Sequence, residues 1–279
     1  MGNAARIGPG EFQLMRDYVE RECGLTVADD KAYLFETRLT PMMAERGLVS
    51  FADLHRAALN DTTHAIRDAI VDAVTTAETF WFRDEYPFGV LSEVVLEGRR
   101  GGAASAPLRV WSAACATGQE PYSIAMTLLE SGPGCVTGAS ILATDISIGS
   151  LYLARAARYD QFAMGRGLAA QRRERYFTRS GKVWCLNKDV RGMVAFVRHN
   201  LQDPYTDLGT FDVVFCRNVL MYFSTEFRRD VLERIRALLR PGGVLILGAA
   251  ESLLQYSDDY DLVHHGKGVY YRVRGDVGR

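Results

Sequence analysis

The sequence predicts an α/β protein: a small all-helical domain followed by a larger domain built on a mostly parallel sheet flanked by helices. Up to about residue 75 the apolar residues recur at helical spacing. From about residue 107 short apolar strands alternate with amphipathic helices, the order that gives parallel strands joined by helical crossovers. Size agrees: 279 residues, with 48% hydrophobic and 24% charged, can bury a sizeable core without metals or disulfides.

Each element follows from its own residues. Phe12, Met15, Val19 and Cys23 share one face of a first helix, which Gly24 is placed to end. A second helix begins near Asp29 and Asp30 and carries Leu34, Leu39 and Met42, with Pro41 expected to kink or divide it. Ser50 with Asp53 reads as the capped start of a helix over 51–59, and Asp61 as the start of one presenting Ile66, Ile70 and Val74. In the larger domain 108–113 reads as the first strand and 121–130 as its helix; 140–144 is the second strand, followed by a helix over 148–158. The run 211–216 is continuously apolar, the mark of a central buried strand, and a helix over 225–239 follows. After Arg240-Pro241-Gly242-Gly243 comes another buried strand at 244–248, and Val183, Trp184, Val194, Phe196 and Val197 read as an inserted β-hairpin. The expected domains are 11–75 and 107–279, with 76–106 as linker and start of a ligand site and 176–199 as an inserted β-subdomain.

Composition closes off several classes. The longest strongly apolar stretch, at 244–250, is far short of a membrane span, the N-terminus has no apolar signal core, and Arg6 stands where a myristoylation signal requires Ser or Thr. The five cysteines are odd in number and form no CxxC pair, so neither a disulfide framework nor a zinc site is expected, and a cytoplasmic location fits best. His264 and His265 are adjacent without further ligands at suitable spacing; no metal is expected. Net charge is −1 but unevenly placed: 155–198 holds 11 Lys/Arg against 3 Asp/Glu, and 11–85 holds 8 against 15. This asymmetry reads either as a basic docking face for an acidic partner or as solvated helix faces paired across the fold.

The chemistry concentrates at three strand ends. Val110 to Ser123 runs from a strand through a loop of small residues into a helix opened by Pro121, so a ligand can approach the backbone closely. Gly118 is the loop's one glycine and no lysine follows it, which excludes both the dinucleotide fingerprint and a P-loop. Asp145, 27 residues beyond Gly118, ends the second strand, where a carboxylate can accept both ribose hydroxyls of an adenosine; the alternative is an N-cap for the next helix. Asn218 lies just past the apolar strand at 211–216, at the sheet edge where ligands of open α/β sheets bind. An adenosine-type ligand held without phosphate contacts suggests S-adenosylmethionine.

Five ordered motifs then carry a resemblance: Thr75 to Asp84 (TTAETFWFRD), Trp111 to Ser123, Ala143-Thr144-Asp145, Phe211 to Phe223 (FDVVFCRNVLMYF), and Leu239 to Ser252. From Phe12 to Val273 the chain resembles the CheR family, the chemotaxis-receptor glutamate methyltransferases. The resemblance implies an N-terminal all-α domain joined to a Rossmann-like S-adenosylmethionine-dependent methyltransferase domain carrying a small β-subdomain. It implies S-adenosyl-L-methionine as cofactor, S-adenosyl-L-homocysteine as product, and receptor glutamates as acceptors. Thr79 and Arg83 would contact the cofactor or line the transfer site, with Ala77 and Ala114 beside them. Glu120 would meet the methionine end, Asp145 the ribose, Asn200 and Leu201 the adenine region, and Arg217, Asn218 and Val219 the pocket near the sulfonium. Arg83 and Tyr222 would sit beside the accepting carboxylate as the catalytic pair. On the residues alone Tyr222 reads as a core aromatic, Arg83 as an ion-pair partner of Asp84 or Glu85, and Cys115 and Cys216 as small apolar packing.

The departures from the family pattern are Ala77 where relatives carry Asn, Gln119 where they carry Glu, and a second helix poor in cations (Arg38, Arg46) where they engage the receptor. The insert between Arg179 and Arg191 is short, so binding to the cytoplasmic helical region of chemoreceptors is expected without a pentapeptide tether, by a monomer. Two rivals stand beside this reading: a same-fold methyltransferase acting on a small molecule or nucleic acid, and a non-catalytic adenosyl-ligand signalling module. Tyr159, Phe162, Tyr176 and Phe177 in the basic stretch are as easily core residues as base-stacking ones, so no nucleic acid partner is expected.

Overall fold

The structure, a computed structural model, describes residues 6–97, 106–132 and 137–275. Cys135 and the part of the linker at 98–105 lie outside the described residues.

Four helices form the N-terminal domain: α1 (Pro9–Cys23), α2 (Ala32–Glu45), α3 (Phe51–Asn60) and α4 (Ala65–Val74). Gly24 ends α1 with φ 72°, a left-handed turn that costs a glycine little, and Ser50 caps α3 by accepting from the Asp53 amide. Pro41 lies inside α2 without dividing it. The expected helix start at Asp61 moves to Ala65 because the Asp61 carboxylate instead gathers the amides of Thr63 and Ile66 across a turn. Met15, Val19, Phe35, Leu39, Phe51, Leu54 and Ile70 close the core of this domain.

The larger domain contains a seven-stranded sheet in the order β6-β2-β1-β7-β8-β10-β9. Its strands are β1 (Arg109–Ala113), β2 (Ser140–Asp145), β6 (Val194–Arg198), β7 (Phe211–Cys216), β8 (Leu239–Ile246), β9 (Tyr260–His265) and β10 (Gly268–Val273). The first five in spatial order run parallel; β10 pairs antiparallel with both β8 and β9. α5 (Gln119–Glu130), α6 (Ile148–Ala156) and α7 (Thr225–Leu238) are the crossover helices. The short helix at Tyr86–Gly89 runs into a π-helix at Val90–Leu96, which sequence periodicity did not foresee.

A three-stranded antiparallel sheet, β3 (Arg158–Asp160), β5 (Val183–Leu186) and β4 (Phe177–Ser180), forms the subdomain in the order β3-β5-β4. The expected hairpin joining Val183–Trp184 to Val194–Val197 is therefore wrong. Val194 to Arg198 pairs in parallel with Ile141 to Asp145 and makes the edge of the main sheet. The subdomain takes its third strand from upstream instead. Ala157, at φ 49°, ends α6 two residues before the expected stop and frees Arg158 to Asp160 to pair with β5. Strand β8 starts five residues early, bridging the Pro241-Gly242 segment through a register shift against β7.

Among the described residues no helix is long and apolar enough to cross a membrane, and no group of His, Cys, Asp or Glu could hold a metal ion.

Candidate active site

Strands β1, β2 and β7 end at one edge of the sheet, and a cavity of about 380 Å³ lies along that edge under the N-terminal domain. All twelve site residues named from the sequence line it: Ala77, Thr79, Arg83, Ala114, Glu120, Asp145, Asn200, Leu201, Arg217, Asn218, Val219 and Tyr222.

The backbone around the cavity sits in conformations that side chains disfavour. Ala114 (φ 56°), Ala116 (φ 49°) and Asn218 (φ 58°) have positive φ, as do Phe82, Asp84 and Glu85 in the turn that closes the Thr75 to Asp84 motif. Such residues cost about 1–3 kcal/mol each and persist where surrounding bonds over-determine them. At Ala116 and Asn218 two carboxylates supply those bonds. Asp145 accepts from the Ala116 amide (2.8 Å) and the Ser147 amide (2.9 Å), tying the end of β2 to the loop after β1. Glu251 accepts from the amides of Asn218 (2.6 Å), Val219 (3.1 Å) and Gly248 (2.9 Å), tying the ends of β7 and β8 together. Ser147, not Asp145, caps α6, so the N-cap alternative for Asp145 is set aside. Burial pushes the Asp145 carboxyl above its ordinary value, against the pull of the Ser147 and Ala116 amides.

Beneath the cavity floor runs a buried polar chain. The Ser112 hydroxyl donates to Glu120 (2.7 Å), whose other oxygen accepts from Arg217 (2.8 Å). Arg217 also pairs with Asp84 (2.7 Å) and donates to the Arg83 carbonyl (2.7 Å), while its Nε, buried, has no partner among the described residues. The ion pair expected between Arg83 and Asp84 or Glu85 does not form, because Asp84 is spent on Arg217. Arg83 donates to the Glu78 carbonyl (3.2 Å) and stacks on Phe80 (5.3 Å), and no ion pair to it forms among the described residues.

The N-terminal domain completes the site. The Asn200 side chain donates to the Glu22 carbonyl at the end of α1 (2.8 Å), so its amide group is committed across the interface while the residue lines the cavity. The Thr26 amide donates to the Tyr222 carbonyl (2.8 Å), and Leu25 bridges Phe223. Arg38, read as a scarce surface cation, reaches the Val74 carbonyl (2.6 Å) and Thr76 hydroxyl (3.4 Å) and staples the linker. Cys115 and Cys216 are fully buried; burial first, then neighbouring carboxylates, pushes both thiols well above their ordinary value, the opposite of a nucleophile's setting. Sequence reasoning missed Asp84 and Glu251 as positioning groups, although both lie in the five motifs, because nothing in a linear motif says which amide a carboxylate will meet.

Residues 77–269 match the family described as CheR methyltransferase, SAM binding domain, and residues 10–75 match the CheR methyltransferase all-alpha domain. The chain belongs to the CheR methyltransferase family. Among its relatives, the chemotaxis protein methyltransferase of Vibrio parahaemolyticus is 42% identical over 275 residues, covering 97% of this chain and 99% of that one. Chemotaxis protein methyltransferase 1 of Pseudomonas aeruginosa is 43% identical over 95% of this chain and 98% of its own, and methyltransferase 2 of the same organism is 34% identical over 88% of each. The cofactor of the family domain is S-adenosylmethionine, and the cavity suits it. The orphaned Arg217 Nε and the half-buried Asp145 carboxylate, each oxygen of which keeps a lone pair beyond its amide bond, are polar groups whose desolvation a polar nucleoside would relieve.

Proposed function

We propose that the chain methylates glutamate side chains of a chemoreceptor's cytoplasmic region, forming methyl esters as part of chemotactic adaptation. The observation that carries this reading is Arg83, a cavity-lining guanidinium that forms no ion pair among the described residues while its neighbour Arg217 is doubly paired. A cation left over at the mouth of a methyl-donor site suits an anionic acceptor.

S-adenosylmethionine, when bound, supplies a methyl group activated by a sulfonium. In this reading Asp145 accepts the ribose hydroxyls, Asn200 and Leu201 border the adenine, Ala114, Glu120, Arg217, Asn218 and Val219 frame the methionine end, and Ala77 and Thr79 close the linker side. The acceptor, with a reference pKa of about 4.3, is already ionised at neutral pH, so no general base is required. Alignment then dominates, because holding reacting atoms about 3 to 3.5 Å apart supplies several kcal/mol. Arg83 orients the carboxylate, and the Tyr222 hydroxyl shares it, because too tight an ion pair would stabilise the ground state more than the charge-dispersed transition state. Relatives named as chemotaxis methyltransferases support the acceptor class. The test is incubation with tritiated cofactor and a receptor cytoplasmic fragment: label released as methanol by mild base supports the reading, and label that survives base, or no label, overturns it.

A further inference from the structure

We propose that Arg166 and Phe162, on the subdomain, recognise an acidic segment of the acceptor protein; this rests on the reading above. Four side chains alternate cation and ring from the cavity outward. Arg83 stacks on Phe80 (5.3 Å), Arg166 stacks on the same ring (5.1 Å), and Arg166 also covers Phe162 (5.4 Å), whose side chain is 72% exposed. Beyond Phe162, Gln161 accepts from the Trp184 indole, and Arg173 and Arg179 lie over that indole. The ladder thus joins the transfer site to the basic stretch at 155–198.

The subdomain holds this ladder against the transfer-site motif. The Arg166 carbonyl accepts from the Trp81 amide (3.2 Å), and a Cβ at Gly167 would overlap the Trp81 carbonyl, so the two backbones touch where only glycine fits. Stacking covers the faces of a guanidinium and leaves its edge donors for carboxylates. One carboxylate already sits there: Glu78, itself 58% exposed, pairs with Arg166. An ion pair this exposed is weak, so an incoming acidic side chain can replace Glu78 at little cost.

Charge selects the class of partner. Arg38 of α2 is committed to the linker and Arg46, just past its end, to the Met42 carbonyl beside Glu45, and residues 11–85 carry a net negative charge. The basic stretch at 155–198, with 11 Lys/Arg against 3 Asp/Glu, is the part of this chain that attracts an acidic segment. The net charge of −1 gives a nucleic acid no long-range pull.

The experiment is steady-state methylation of a receptor cytoplasmic fragment by the wild type, Arg166→Gln, Arg166→Lys and Phe162→Ala. S-adenosylhomocysteine affinity by calorimetry and thermal melting check folding. For Arg166→Gln the KM for the fragment rises about tenfold, with kcat and nucleoside affinity within about twofold, and its dependence on ionic strength flattens. Arg166→Lys recovers part of the loss, and Phe162→Ala, whose side chain stands mostly in solvent, raises KM by a few fold with unchanged melting. Unchanged KM in both neutralised and truncated variants overturns the assignment, as does a fall in kcat alone, which marks a structural role. Single-stranded DNA retained by the wild type and released by Arg166→Gln at physiological salt overturns it in favour of a nucleic acid face. A wild type that labels no fragment takes down the methyl-ester reading first, and this inference with it.

Discussion

The two sides of the cavity are built differently. On the sheet side, Asp145, Glu251, Glu120, Arg217 and Asp84 form bonds that lock backbone and buried charge together, and the residues held there are the ones read as cofactor contacts. On the outer side, Arg83, Phe80 and the 38%-exposed Tyr222 are placed by stacking and by contacts with other parts of the chain. Groups ordered in advance suit a small nucleoside, since buried polar atoms tolerate no slack. A protein acceptor needs open edges whose partners it can displace.

Substitutions can break that contrast, and the largest effect belongs to the sheet side. Arg217→Ala leaves Glu120 buried without its cation, and removing one partner of a buried pair costs about 3 to 5 kcal/mol, so chemical denaturation should show a larger stability loss for this change than for any at the outer side. A loss within about 0.5 kcal/mol, the range of ordinary surface substitutions, would erase the distinction. Next comes Asp145→Ala, with nucleoside affinity falling by about 1.5 to 3 kcal/mol, the scale of hydrogen bonds to a charged group, measured by calorimetry. Unchanged affinity would remove Asp145 from the ribose. The smallest is Tyr222→Phe: it lowers turnover modestly, by about tenfold or less, the low end of what a single hydrogen bond to a charged group supplies, while cofactor affinity stays nearly intact. An abolished affinity would move Tyr222 to the sheet side.

The same contrast explains what was legible in the sequence. Strand ends and the motifs behind them were readable, because Asp145, Glu120 and Asn218 fall at fixed places in a strand–loop–helix order and that order fixes the edge on which a ligand binds. Helix periodicity in the N-terminal domain was readable for the same local reason. Long-range pairing was not. Val194 to Arg198 carries the alternation of a hairpin strand, yet its register belongs to β2, some fifty residues upstream, and only the fold as a whole decides between the two. Likewise Asp84 sits next to Arg83 in the chain but turns to Arg217, 133 residues away. A β-branched, aromatic and charged stretch says that a strand or an ion pair will form; the partner is a property of three dimensions.

The lone bridge between Leu25 and Phe223, with the Thr26 amide on the Tyr222 carbonyl, has a mechanical corollary. Tyr222, which lines the cavity and is proposed to face the acceptor, hangs from the connection between the first two helices. A tilt of that helical cap would reach Tyr222 through its own main chain, so a change at the small domain is carried straight to the rim of the cavity.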